Sequence, residues 1–466
     1  MFTVGDPEVL AKEKRILGEL ETKGVLPRWK WYFSKSGPGW MQSAMTLGGG
    51  SAFASLYAGS FMQYKLLWVQ PLAMLMGIIM LSSLSYQTLS SGERPFEAMR
   101  KYLHPSIAWA WAIGTLLSSI IWHFPQYSLI AGMSEDMLGA VTGKVFTGTA
   151  QTLLMLFFGI LYLCIAVCVC WSYGQGGKGV RRFETIIKST VWFIILCFTI
   201  VVVRKSIDGG VAWGDVLKGF IPLSIPKDKQ VVSIVMAGLS AAVGINMTFL
   251  FGYSYLARGW GKEHRGLARF DLLTGMLFPY VLATSLMIIA AGCTIYDPDS
   301  AATTKISPVQ MAELIQSAGL PMFFSRIVFG FGIIGMAFNA IIMHMLVSGF
   351  AVCEVFGVEP GGWKYKLACL VPAPGLLGVI LWKYLGTWIA IPTSAICLLL
   401  LPIAYIGFFL LNNSKRYLGL NKPTGPKAFA WNTAMVVSIL VIIVSGLYYL
   451  IGVMFPFIQG LLGSAQ

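Results

Sequence analysis

The sequence predicts an all-helical membrane protein of eleven spans, built as two inverted five-span repeats with broken helices one and six, plus one added helix. Hydrophobic residues make up 56% of the chain and charged residues 12%, and apolar runs of about 20 residues recur throughout, the length a helix needs to cross a bilayer. Basic residues gather on alternate loops. With the N-terminus cytoplasmic, about 24 of the 34 Lys and Arg fall on the inner side, the bias that sets membrane orientation. Two apolar spans, five apart, are interrupted near their middles by Gly48-Gly49-Gly50 and by Gly244.

The elements follow in order. Residues 1–36 form a cytoplasmic segment, and the rest, 37–466, one transmembrane domain. Residues 7–22 place Val9, Leu10, Ile16, Leu17 and Leu20 against lysines and glutamates, the pattern of an interfacial amphipathic helix. Trp29, Trp31, Tyr32 and Phe33 then suit the headgroup layer. This polar start excludes a cleavable signal peptide. Pro38 opens span one, roughly 38–62, and spans two to five cover roughly 66–90, 107–132, 145–171 and 185–203. Spans six to eleven cover roughly 231–257, 270–293, 323–353, 365–382, 385–411 and 428–455. Within the outer 294–322 loop, Pro308 to Ala318 reads as a short helix with Gly319 just past its end. The repeats are about 37–204 and 231–411, with helix eleven at about 428–455. An odd span count puts the C-terminus outside.

Three glycines cost roughly 1 kcal/mol each in a helix interior, and loose backbone at membrane depth is tolerated only in protein or along a cavity. Paired breaks of this kind point to a transporter's substrate site at the midplane. The candidate binding set is therefore Thr46, Gly48, Gly49, Gly50 and Ser51 in span one with Gly244, Asn246 and Thr248 in span six. Close helix packing is the competing reading of each glycine. His123, Gln126, Asn339, Thr393, Ser394 and Asp271 are candidates for coupling or gating. His123 is an intramembrane ionisable group, Thr393 and Ser394 follow a break at Pro392 in span ten, and Asp271 sits beside arginine at a cytoplasmic span end. Met343, His344 and Met345 are consecutive, so they face different sides of a helix and are not read as a soft metal site. The eight cysteines lie in or beside apolar spans and give no disulfide framework.

The order of several short stretches resembles the NRAMP metal-ion transporter family. Gly37-Pro38-Gly39, Tyr57-Ala58-Gly59 and Leu66-Leu67-Trp68-Val69 resemble its first two spans. Ser91-Gly92-Glu93 through Glu97, Arg181-Arg182-Phe183-Glu184, Arg269-Phe270-Asp271 and Asn412-Asn413-Ser414-Lys415-Arg416 continue the likeness over roughly residues 37–450. It implies the LeuT-type fold and alternating access. The metal ligands of the family are missing. Gly48-Gly49-Gly50-Ser51 stands where the family has Asp-Pro-Gly-Asn, Gly244-Ile245-Asn246 where it has Met-Pro-His, and the span-three acidic pair is absent.

A neutral midplane is a poor home for a bare divalent ion, which is usually held by carboxylates. Glycine amides and a half-helix starting at Gly50 or Ser51 would make an anion nest with room to spare. The sequence alone therefore favours a small carboxylate-bearing organic solute, amino-acid-like, with no metal site. The alternative is a divalent metal ion, Mg2+ or Mn2+/Fe2+, bound largely hydrated. A second is a non-transporting receptor or sensor. The chain has no enzyme motif, nucleotide loop or cofactor signature, so transport would run on a gradient, with H+ or Na+ as coupling ion. The expected partners are the lipid bilayer and a small solute or ion. The expected state is a monomer in a bacterial inner membrane, without nucleic acid.

Overall fold

The computed structural model describes residues 7–21, 23–173, 177–222, 229–296, 307–359, 361–385, 390–456 and 459. Among them the chain is helical throughout, with no strand. Helices α1 (Pro7–Glu21) and α2 (Val25–Lys35) precede the broken pair α3 (Pro38–Thr46) and α4 (Gly49–Met62). Then come α5 (Val69–Ser91), α6 (Pro95–Tyr102), α7 (Pro105–Thr142), α8 (Gly148–Tyr173), α9 (Gly177–Ile207) and α10 (Trp213–Gly219). The second broken pair is α11 (Lys229–Ala242) and α12 (Ile245–Ala257). α13 (Arg265–Leu272) and α14 (Phe278–Thr294) join through one π-turn, α15 (Pro308–Ser317) follows, and α16 (Phe329–Phe356) comes after another. α17 (Trp363–Ala368), α18 (Gly378–Leu385), α19 (Ala390–Asn412), α20 (Lys415–Leu418) and α21 (Gly425–Tyr449) complete the chain.

Eight helices among the described residues are long and apolar enough to cross a membrane, or nine when the pair bent by 64° at Asn412–Lys415 is one span. The expected eleven is reached only by counting α3–α4 and α11–α12 as spans, because each break leaves two halves too short to cross alone. The span expected over 107–132 is longer than its apolar core. α7 has 38 residues, about 57 Å at 1.5 Å per residue, and so extends beyond the hydrocarbon. Pro392 does not break span ten. It lies in the first turn of α19, where its missing N–H has no helical partner to lose.

Burial sorts the helices. The apolar window of Phe323–Phe356 is 83% buried, whereas that of Gly148–Tyr173 is 17% buried. α16 is thus the central helix and packs against α7, α9 and α3, while α8 faces lipid. The short helix expected after Pro308 is present. Ser307 caps α15 by accepting from the Gln310 N–H at 3.2 Å, and the Ser307 N–H donates back to Gln310 Oε1 at 2.7 Å. The amphipathic α1 docks on protein: Leu17 and Leu20 are buried, and Lys14 pairs with Glu263 at 3.9 Å. Trp29, Tyr32 and Phe33 gather around Phe270.

Candidate functional site

Both helix breaks are short and extended. α3 stops at Thr46, Leu47 turns away (φ −78°, ψ 66°), and Gly48 is extended (φ −120°, ψ −170°) before α4 starts at Gly49. α11 stops at Ala242, and Gly244 (φ −94°, ψ 158°) leads into α12. The triplet is therefore not unwound as a whole. Only Gly48 lies outside the helices, and α4 begins one residue before the expected Gly50. None of these angles requires glycine, so the absence of a side chain must serve close approach instead.

That approach is specific. A Cβ at Gly48 would meet Ala340 Cβ at 2.9 Å, one at Gly49 would meet Gln126 Oε1 at 3.0 Å, and one at Gly50 would meet Trp122 Cη2 at 2.3 Å. The space expected at the glycines is filled by α7 and α16. Two of the amides expected to cradle an anion are also engaged, while those of Gly50 and Ser51 meet no acceptor among the described residues. Gly49 N–H donates to Gln126 Oε1 at 2.8 Å and Gly48 N–H to Ser51 Oγ at 3.2 Å. Across the gap, Gly244 N–H donates to Met247 Sδ at 3.3 Å and Met247 N–H to Asn246 Oδ1 at 3.0 Å.

The carbonyl ends are left open. Ser43 O accepts from Leu47 N–H at 2.8 Å, and Thr46 O from the Ser51 hydroxyl at 2.6 Å. Among the described residues no donor reaches the carbonyls of Ala44 and Met45 at the end of α3, or of Ala241 and Ala242 at the end of α11. These are the negative ends of two half-helices, which favour positive charge.

Between the breaks lies a cavity of about 30 Å³, lined by Met45, Thr46, Gly48, Gly50, Ser51, Trp122, Gln126, Ala241, Gly244, Asn246, Met247 and His344. A water needs roughly 10–15 Å³ on this measure, so the space suits two or three water-sized species. Of the residues singled out in the sequence, the fold brings Thr46, Gly48, Gly50, Ser51, Gly244, Asn246 and Gln126 to this cavity. The other candidates sit elsewhere. Gly49 is behind the wall, bound to Gln126. Thr248 Oγ1 accepts from Trp111 Nε1 at 3.0 Å and donates to Ile245 O at 2.5 Å.

His123 is fully buried, with Nδ1 2.6 Å from Pro372 O and Nε2 3.1 Å from Ile341 O. It ties α7 to α16 rather than lining the cavity. Asn339 is buried, and both its amide atoms lack a partner among the described residues. Thr393 is buried on α19, and the Ser394 side chain lies outside the described residues. Asp271 caps the N-terminus of α3. It accepts from Gly37 N–H at 2.9 Å, Gly39 N–H at 2.6 Å and the Ser36 hydroxyl. α3 is 9 residues long, so this carboxylate stands about 13 Å below the break.

The sequence reading missed Met45, Trp122, Ala241, Met247 and His344. His344 does reach a shared site, but with Met45 and Met247 from other helices rather than with its neighbours in sequence. Among the described residues no group of three or more His, Cys, Asp or Glu is placed to hold a metal ion.

Two charge networks flank the cavity. At the N-terminal end of α3 Arg258 binds Glu184 through Nε and Nη2 and also Lys35 O, while Lys188 binds Ser36 O. Just before α16, Arg326 pairs with Asp136 of α7, with one contact at 2.8 Å, and approaches Glu313 of α15 at 3.8 Å.

Residues 39–449 match the family model described as natural resistance-associated macrophage protein-like. The NRAMP-like transporter smf-3 of Caenorhabditis elegans is 24% identical over 199 residues, covering 42% of this chain and 32% of its own length. The manganese transporter pdt1 of Schizosaccharomyces pombe is 25% identical over 249 residues, covering 52% of this chain and 42% of its own. The matches thus span less than half the length of these curated relatives. The crystal structure of the Eremococcus coleocola manganese transporter, in complex with an aromatic bis-isothiourea substituted compound, superposes with a TM-score of 0.70 at 15% identity. It covers 91% of this chain and 89% of the other, and so shares the fold. The chain belongs to the natural resistance-associated macrophage protein-like family.

Proposed function

We propose that this member of the family is a secondary transporter that carries a metal cation by alternating access, binding it between the two helix breaks without carboxylates. The reading that the sequence alone favours, an organic solute held through its carboxylate, gives way. Two amides of its cradle are taken by Ser51 and Gln126, and its volume is filled by Trp122, Gln126 and Ala340. About 30 Å³ is too small for an amino acid. The metal reading is supported by the family and by relatives described as NRAMP-like and manganese transporters.

The single observation that carries the proposal is the polarity of the breaks. Two half-helix C-termini end beside one small cavity, which Met45 and Ala241 line, and among the described residues no donor reaches the carbonyls of Ala44, Met45, Ala241 and Ala242. Broken helices in transporters use such ends for cations. With no formal negative charge there, the ion keeps part of its water shell.

Movement follows from the same geometry. α3 is short, hinged at Leu47–Gly48, and held at its far end by Asp271, Lys188 and Arg258. Releasing that latch frees α3 to swing and opens the cavity to the cytoplasm. Releasing Arg326 from Asp136 opens the outer side. The driving force is an ion gradient, since the chain carries no nucleotide loop. Isothermal titration of the purified full chain tests binding: one saturable Mn2+ site with no response to amino acids supports the reading. Amino-acid binding without Mn2+ binding would overturn it.

A further inference from the structure

We infer that α2 rests on an anionic lipid surface and that this grip holds the start of α3, so that the freedom of α3 depends on the charge of the surrounding lipid. None of the 11 residues of α2 is buried. Leu26, Trp29 and Phe33 recur at the spacing of one helical face and are 81%, 52% and 54% exposed. Trp29 and Phe33 also meet Phe270, at ring-centre distances of 6.0 and 4.8 Å. Beyond Phe270 the chain carries Leu273 and Phe278, both exposed, within the 33-residue segment Lys262–Thr294, which is long and apolar enough to cross a membrane. The apolar face of α2 is therefore continuous with a surface that meets lipid. Exposed apolar patches mark a partner or a membrane, and this continuity selects the membrane.

Charge selects the lipid. No Asp or Glu occurs between Lys23 and Lys35. Lys23 just before α2, Lys30 beside its apolar stripe and Arg269 beside Phe270 are all exposed, and none has an acidic partner among the described residues. Aromatic, apolar and basic side chains in this mixture seat a helix at the headgroup layer and draw it to anionic lipid. The connection onward to α3 is short. Lys35 ends α2 and Pro38 starts α3. At that junction Arg258 binds Lys35 O, Lys188 binds Ser36 O, and Asp271 accepts from the Ser36 hydroxyl and the Gly37 N–H. A displacement of α2 therefore reaches α3 through bonds that the two helices share. Nothing in this arrangement depends on which ion the cavity carries.

The test is amide hydrogen exchange of the full chain in nanodiscs, made either of phosphatidylcholine alone or with part of it replaced by phosphatidylglycerol. The expected result is exchange across residues 36–46 several-fold slower in the anionic discs at low salt, with exchange in α16 unchanged. The difference should shrink at high salt, which screens exposed charges. Lys23→Gln, Lys30→Gln and Arg269→Gln together should abolish it, whereas Lys23→Arg with Lys30→Arg should keep it. All these side chains are exposed, and thermal unfolding confirms that both variants are folded. Equal exchange of the wild type in the two lipids overturns the inference, as does a difference that the glutamine variant retains. Protection that arises only in discs holding two copies assigns the face to a second chain and overturns it too.

Discussion

The main-chain N–H of Gly49 donates to the side-chain oxygen of Gln126 at 2.8 Å, so the first amide of a broken helix is satisfied by the neighbouring helix α7. Gln126 therefore does two things: it stabilises the break and closes the space an anion would use. Gln126→Leu leaves a buried N–H unpaired, which costs about 1–3 kcal/mol. We expect a lower unfolding temperature and transport reduced several-fold. Gln126→Glu keeps the acceptor and adds a charge beside the cavity. It should tighten divalent-ion binding by about tenfold, worth about 1.4 kcal/mol. Titrations of both variants with Mn2+ check the pair.

Gly50 and Trp122 form a second dependent pair. A Cβ at position 50 would fall 2.3 Å from the indole. Gly50→Ala should destabilise the fold by about 1–3 kcal/mol through overpacking. Trp122→Leu on that background should restore part of the loss, because the clashing ring is gone. A double-mutant cycle in thermal unfolding reads the coupling. Additive losses would show that the indole does not set the need for glycine.

Much of this architecture is legible in the sequence. Apolar runs and paired glycine breaks are local signals, and both survive into the fold. The short helix after Ser307 is equally local, because its cap and its terminal glycine lie within a few residues of one another. The site is legible only in part. Glycine in a sequence reads as empty space, but space depends on a partner, and nothing near Gly50 in sequence announces Trp122. Met45, Met247 and His344 come from α3, α12 and α16, and no periodicity links them. His344 looks inert beside Met343 and Met345 because adjacent residues diverge on a helix. Its partners arrive from elsewhere in the chain.

Asp271 and Glu184 should govern the inner gate. Asp271 accepts three donors at the start of α3, and Asn offers only one oxygen in its place. Asp271→Asn should raise amide hydrogen exchange across residues 36–46, reporting a freer α3. Glu184→Gln removes the charge that faces Arg258, whose side chain is 18% exposed. Breaking a largely buried pair costs about 3–5 kcal/mol, so this variant should unfold earlier and also exchange faster at α3. Unchanged exchange in both would mean that the latch does not hold the helix.

Arg326 should act on the other side. It joins α7 through Asp136 and approaches Glu313 on α15. Arg326→Ala should expose the outer half of the cavity. A cysteine placed at Ala340, which packs against Gly48, should then react with an impermeant thiol reagent at least several-fold faster than in the parent carrying the same cysteine. An unchanged rate would assign the pair to structure alone.

Ion flux into sealed vesicles decides whether the cavity between the two breaks carries a metal. Purified full chain in proteoliposomes should take up radioactive manganese with saturation. Gln126→Leu and Met247→Leu should each lower that uptake several-fold, and amino acids in excess should leave it unchanged. Vesicles that accumulate an amino acid or organic acid but no manganese would contradict the proposal and return the carboxylate-bearing solute to first place.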